Sequence, residues 1–290
     1  MVTLPSDPAN PPVAAGGGSH EQRQVAEGFG HDAERYDRAR PTYPQELVSR
    51  IIAAIPGTEI LDIGTGTGIV ARLFQARGCR VLGVDPDPRM AGLARDRGLD
   101  VEVAKAEDWD PAGRQFDAAV AGQAWHWVDP VAGAATAARA LRAGGLIAVF
   151  WNVFGLEPDM REAFGEVFRS VDTGLPFNPW DRPLLDVYLQ GCDRAAEGMR
   201  AAGGFGEPEQ WRSQWSRPYT RDEWLDVIPT LGGMNRVPDD KLAELLAAHG
   251  AVIDAVGGSF TVHYTTVAVT AVRDAGGGES GWNVRGKDFL

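Results

Sequence analysis

The residues of this chain best suited to chemistry fall in three places. The first is Asp62-Ile63-Gly64-Thr65-Gly66-Thr67-Gly68, where three glycines alternate after an acid. Glycine lets a backbone turn sharply and lets a ligand approach it closely, so this composition marks a ligand cradle or, more plainly, a tight turn. The second is Asp85, at the end of Val81-Leu82-Gly83-Val84-Asp85. A carboxylate at a strand end can accept hydrogen bonds from both hydroxyls of a ribose, or can simply be solvated. The third is His126, flanked by Trp125 and Trp127. Histidine titrates near neutral pH, so His126 is the candidate base or orienting donor, with plain packing as the alternative. His20, His31, His249 and His263 have no comparable setting.

The glycine loop does not fit two common nucleotide patterns. A dinucleotide fingerprint, G-x-G-x-x-G, needs glycine at position 69, which is Ile69. A phosphate-binding loop ends in G-K-[ST], and no lysine follows here. Asp62 belongs to neither pattern. Asp85 does not discriminate, because nicotinamide enzymes carry an acid there too.

Elements must hold these groups in place. Short apolar runs at 59–63, 80–84, 101–104, 116–121 and 146–151 read as strands. Helical segments at 69–77, 89–97 and 131–141 lie between them. Buried strands alternating with helices form a parallel sheet covered on both faces. Before the first strand, 45–54 carries Leu47, Val48, Ile51 and Ile52 at helical spacing. Thr42 and Gln45 are spaced for a capping box at its start. After Trp151 the rhythm changes: helices are expected at 157–172, 184–202, 220–228 and 239–248, a Pro- and aromatic-rich loop at 176–183, and strands at 210–219 and 260–272.

The set of motifs resembles class I methyltransferases that use S-adenosylmethionine. The resemblance rests on Asp62 with G-x-G-x-G, on Asp85, on Ala106-Glu107-Asp108, on Phe116 to Trp127, and on Leu141-Arg142-Ala143-Gly144-Gly145-Leu146. Tyr36-Asp37-Arg38-Ala39-Arg40-Pro41-Thr42-Tyr43-Pro44, Gln123-Ala124-Trp125-His126-Trp127 and Phe150-Trp151-Asn152-Val153 make it similar to the trans-aconitate methyltransferase group. The resemblance implies a doubly wound, mostly parallel seven-stranded α/β sheet with a helical lid insertion. It implies that Asp62, Gly64, Thr65, Gly66, Asp85, Pro86, Ala106, Glu107 and Gln123 hold S-adenosylmethionine. Tyr36 and Arg40 would hold its carboxylate or shield its sulfonium. Lys105 stands where many members have Asp, which leaves Glu107, Asp108 or backbone groups to read the adenine. The acceptor would be a small molecule of specialised metabolism, methylated on O, N or C, with Tyr43, Trp125, Trp127, Trp151 and Trp180 lining its pocket. Aromatic walls suit a flat or a cationic molecule, and core packing is their plainer role.

Composition limits the partners. The 290 residues carry a net charge of −12, so nucleic acid is a poor partner. No apolar run is long enough to span a membrane. The two cysteines, Cys79 and Cys192, have no metal-ligand spacing and suit a cytoplasmic setting. No metal is expected. The expected organisation is a flexible tail (1–20), a cofactor-binding core with N-terminal cap helices (21–153), a helical lid (154–206), closing strands and helices (207–274) and a second tail (275–290). A nicotinamide-dependent oxidoreductase and a non-catalytic S-adenosylmethionine-binding regulator are the competing readings.

Overall fold

A computed structural model describes residues 29–181 and 183–275. The tail expected at 1–20, residues 276–290 of the other tail, and His20 lie outside the described residues. A short 3-10 turn (Phe29–Asp32) leads into α1 (Ala33–Ala39) and α2 (Gln45–Ala53). The alternating part follows: β1 (Glu59–Ile63), α3 (Ile69–Gln75), β2 (Arg80–Asp85), α4 (Pro88–Asp96) and β3 (Asp100–Val103). It continues through β4 (Phe116–Gly122), a 3-10 turn (Trp125–Trp127), α5 (Pro130–Ala140) and β5 (Leu141–Gly155). Then come α6 (Pro158–Ser170), α7 (Leu185–Ala202), β6 (Glu209–Thr220), α8 (Arg221–Val227), α9 (Asp239–Ala255) and β7 (Ser259–Val272).

The strands form one seven-stranded sheet in the order β3-β2-β1-β4-β5-β7-β6. Strands β1 to β5 are parallel, and β7 runs antiparallel to both β5 and β6. This is the doubly wound, mostly parallel α/β sheet that the motifs imply. Successive side chains of a strand point to opposite faces, and the two cores follow that period. Ile60, Ala118, Val120, Ala148 and Phe150 pack with α2, α3 and α4. Leu61, Ala119, Ala121, Ile147 and Val149 pack with α5 and α7 on the other face.

The long strands decide where the site can form. β5 has 15 residues and β7 has 14, against 5 in β1. Their ends run past the parallel strands. There they carry a third core, in which Phe164, Trp180, Tyr219, Trp224, Leu245 and Ile253 are buried. Each such side chain contributes about 1.5–3 kcal/mol when fully buried.

Helix starts are written in the sequence. Asp87 and Asp129 cap α4 and α5 ahead of a proline, and Thr220 with Glu223 forms a capping box on α8. The capping box expected from Thr42 and Gln45 does not form. Pro44 takes the N-cap position of α2, and the Thr42 carbonyl instead accepts from Asn152 Nδ2 at 2.9 Å. The strand expected at 146–151 spans 141–155, and its C-terminal extension to Gly155 is paired throughout with β7.

Candidate active site

In an open α/β sheet, ligands bind beyond the carboxyl ends of the strands where the strand order reverses. Here that point lies between β1 and β4. A cavity of about 410 Å³ opens there. Its wall includes Tyr36, Arg40, Tyr43, Gly64, Thr65, Gly66, Asp85, Pro86, Ala106, Glu107, Gln123, His126 and Trp127. Thirteen scattered candidates are thereby brought to one surface.

The glycine loop leaves β1 with Gly64, Gly66 and Gly68 all at positive φ. A Cβ on Gly64 would come within 2.4 Å of Ala124 Cβ. One on Gly66 would meet no protein atom nearer than 3.7 Å, so that part of the loop faces open space. Asp62 is not on the wall. It is fully buried beneath the loop, where its Oδ2 accepts from Thr65 Oγ1 at 2.7 Å. Burial pushes its carboxyl up to about 7, against the pull of the Thr65 hydroxyl. Its work is to hold the turn.

Asp85 does two jobs. Its Oδ2 accepts from the Gly66 amide at 2.8 Å and its Oδ1 from the Asp87 amide at 2.9 Å. Burial pushes it up to about 6, although both amides pull it back. Each carboxylate oxygen has a second lone pair to offer the cavity. Glu107 Oε1 accepts from the Asp129 amide at 2.7 Å, which ties the segment after β3 to the start of α5. Asp108 is exposed and lies off the cavity wall.

Helix α1 brings Tyr36 and Arg40 over the cavity, and ion pairs hold it from two sides. Arg35 and Arg38 reach Asp226 of α8 at 3.3 and 2.7 Å. Asp37 pairs with Arg72 of α3 at 2.8 Å and with Arg97. The Arg40 guanidinium lies 5.4 Å from the Tyr36 ring centroid. Tyr43, Tyr188 and Tyr264 are also close enough to affect it electrostatically. No carboxylate pairs with Arg40 among the described residues. That makes it an open partner for an anion.

His126 has its ring fixed from behind. The Trp151 indole donates to His126 Nδ1 at 3.2 Å. Indole nitrogen only donates, so Nδ1 is the acceptor and the proton of the neutral ring is on Nε2. Burial, then the charges of Arg40 and Arg194, pulls His126 down to about 4. At neutral pH it is an uncharged N–H donor with its one lone pair taken. The base role considered from sequence has no nitrogen to act through, and the donor role remains.

Three of the expected pocket tryptophans are not on the wall. Trp125 is buried against Gly133, where a Cβ would come 3.1 Å from its ring. Trp151 is buried and serves His126. Trp180 packs among Phe154, Phe164 and Trp224 in the third core. Trp127, beside His126 at 4.6 Å between ring centroids, does line the cavity. Sequence reasoning missed Tyr188 and Tyr264, which also line it. Tyr188 follows Leu184 and Leu185 by one helical turn on α7, so its face of the helix was legible. Its partner Gln123, 65 residues away, was not.

Sheet order, glycine loop and cavity together define a ligand-binding protein of the doubly wound α/β class. A family model described as a methyltransferase domain matches residues 36–256, and the chain belongs to that family. An uncharacterized methyltransferase of Mycobacterium bovis is 28% identical over 260 residues, covering 86% of this chain and 97% of that protein. The trans-aconitate 2-methyltransferase of Mycolicibacterium gilvum is 37% identical over 93 residues, covering 31% of this chain and 35% of its own. A solved structure from Anaeromyxobacter dehalogenans, described as a type II methyltransferase, has a TM-score of 0.57 and 24% identity. It covers 80% of this chain and 97% of that one, and it supports the fold.

Proposed function

We propose that this methyltransferase takes its methyl group from S-adenosylmethionine and passes it to a small molecule with an apolar or aromatic body, of the kind made in specialised metabolism. The carrying observation is Asp85, whose carboxylate fastens the glycine loop and still borders the cavity. The wall fits the cofactor. Asp85 suits a ribose, the open face of Gly66 suits a close ligand, and unpaired Arg40 suits a carboxylate. Ala106, Glu107 and Pro86 border the same end. When bound, S-adenosylmethionine supplies an activated methyl on a good leaving group.

The protein's part is then positioning and exclusion of water. His126 donates toward the acceptor end, and Gln123 braces the wall. Residues 154–206, with Phe177 and Pro179 on the wall, form a lid over that end. Two buried free cysteines fit a reducing cytoplasm. Among the described residues no helix is long and apolar enough to cross a membrane. The oxidoreductase reading is disfavoured by Ile69 in place of glycine. A non-catalytic binder is disfavoured because one cavity runs from the glycine loop to His126.

A thermal-shift titration tests this reading. S-adenosylhomocysteine is expected to raise Tm by mass action, and NAD to leave it unchanged. A rise with NAD alone would overturn it.

A further inference from the structure

The acceptor end of the cavity has donors but no group able to remove a proton. His126 has no free lone pair, as shown above. Tyr43 and Tyr264 are driven further from ionisation by burial, and so is Tyr188. The acids on the wall, Asp85, Asp87 and Glu107, belong to the ends of β2 and β3, and each is committed to backbone amides. Lys105 is exposed at that same end. Asp62 titrates near neutrality but is sealed beneath the loop.

One donor is unusually well defined. Gln123 adopts a positive φ of 55° at the end of β4. Its Oε1 accepts from the Asn152 amide at 3.0 Å, which fixes which end of the side chain is nitrogen. Its Nε2 must therefore donate to the Tyr188 hydroxyl oxygen, at 2.8 Å. With that oxygen already accepting, Tyr188 keeps its own proton to give. No acceptor for it exists among the described residues, and Tyr188 lines the cavity. The same cavity is lined by the apolar groups Trp127, Phe154, Phe177, Pro179 and Leu231.

We infer that the acceptor is a hydrophobic monoanion, an apolar molecule carrying one oxygen that arrives ionised, and that the Tyr188 hydroxyl holds that oxygen. This rests on reading the cavity as a methyl-transfer site. In the step, a lone pair of the anionic oxygen forms the new O–CH₃ bond as the S–CH₃ bond breaks and its electron pair stays on sulfur. A sulfonium and an oxyanion become a thioether and an ether or ester, and no proton has to leave. An aliphatic alcohol would need a base that the wall lacks. An alkylammonium would need one too. A second negative charge would be buried without a partner. A carboxylate and an acidic phenolate share the required chemistry.

The test uses 4-nitrophenol, whose ionised and neutral forms differ in absorbance. The full chain is first saturated with S-adenosylhomocysteine or with sinefungin, the analogue carrying an amine in place of the methylsulfonium. Binding is expected to lower the probe's pKa by about one unit, about a tenfold preference for the ionised form. The shift should be larger with sinefungin. Tyr188→Phe is expected to shrink the shift while leaving S-adenosylhomocysteine affinity unchanged, which also shows that the variant folds. Gln123→Glu, which accepts the tyrosine proton instead of donating to it, should shrink the shift in the same way. With the natural cofactor, cinnamate or 4-nitrophenol should be methylated, and benzyl alcohol and benzylamine should not. Whichever of the first pair turns over separates the carboxylate from the phenolate. A bound probe that stays neutral, or a Tyr188→Phe variant that shifts it like the parent, overturns the inference. Failure to bind S-adenosylhomocysteine at all would instead overturn the cofactor reading.

Discussion

The two ends of the cavity are built by different means. At the cofactor end, backbone does most of the work. Three glycines at positive φ, two strand-end acids, one hydroxyl and two amide hydrogen bonds lie within one continuous stretch from β1 to the start of α4. At the acceptor end, side chains from distant elements do it: Trp127 from the turn after β4, Tyr188 from α7 and Tyr264 from β7. A backbone cradle is rigid and recognises a fixed ligand. A wall of side chains can be redrawn one residue at a time. Two histidines make the same point on a smaller scale. His126 and His249 are both pulled down to about 4 by burial. Of the two, only His126 borders the cavity, while His249 donates through Nδ1 to Leu245 O and packs at a tilt against Phe164 and Trp180. A perturbed histidine marks burial first, and a site only when a cavity adjoins it.

The contrast can be broken by substitution. The largest effect is expected from Gly64→Val. Its Cβ would collide with Ala124 and its φ of 67° opposes any branched side chain. Strain and overpacking together cost about 2–6 kcal/mol. Both Tm and the Tm response to S-adenosylhomocysteine should fall, and a variant that keeps that response would show that the loop is not the cradle.

Asp62→Asn comes next and shows itself through pH. Folding raises the Asp62 pKa from its ordinary 3.8 to about 7. Between those values the native state holds more protons than the unfolded one, so this group's contribution to stability falls as pH rises. His126 and His249 act in the opposite sense from about 4 to 6.5, because the unfolded state holds the extra proton there. The measurement is therefore the stability of the variant minus that of the parent. That difference should grow by about 2–4 kcal/mol from pH 4 to pH 7. A flat difference would mean that Asp62 is not buried as described.

Asp85→Ala should weaken S-adenosylhomocysteine binding by about 1–3 kcal/mol, read by calorimetry. Part of that loss passes through the Gly66 amide, which loses its acceptor. An unchanged Kd would remove Asp85 from the cofactor end.

The smallest effect belongs to the other wall. His126→Ala should lower kcat by about 5–10-fold, the worth of one hydrogen bond, and leave cofactor Kd alone. A ring that donates and takes no proton leaves the shape of the kcat–pH profile between about pH 5 and 8 the same in the variant as in the parent. A bell with a limb near neutrality that disappears in the variant would restore the base role.

The difference between the walls also explains what could be read without coordinates. The sequence determined the cofactor end almost entirely. Asp62, the glycines and Asp85 lie within 24 consecutive residues of the chain, and backbone geometry at that range is local: alternating glycines permit positive φ, an apolar run makes the strand before them, and Asp87 and Pro88 start the next helix. Strand and helix periods likewise gave the doubly wound sheet. Tertiary structure alone decided the acceptor end. Trp125, Trp127, Trp151 and Trp180 are chemically alike in one dimension. Trp127 reached the wall, Trp151 became the prop of His126, and Trp125 and Trp180 went into the core, because packing of α5, α7 and the extended β5–β7 pair fixed which ring was covered. The same packing set Gln123 against Tyr188 across 65 residues. Side-chain contacts at that separation depend on how elements dock, and docking is a property of the whole core.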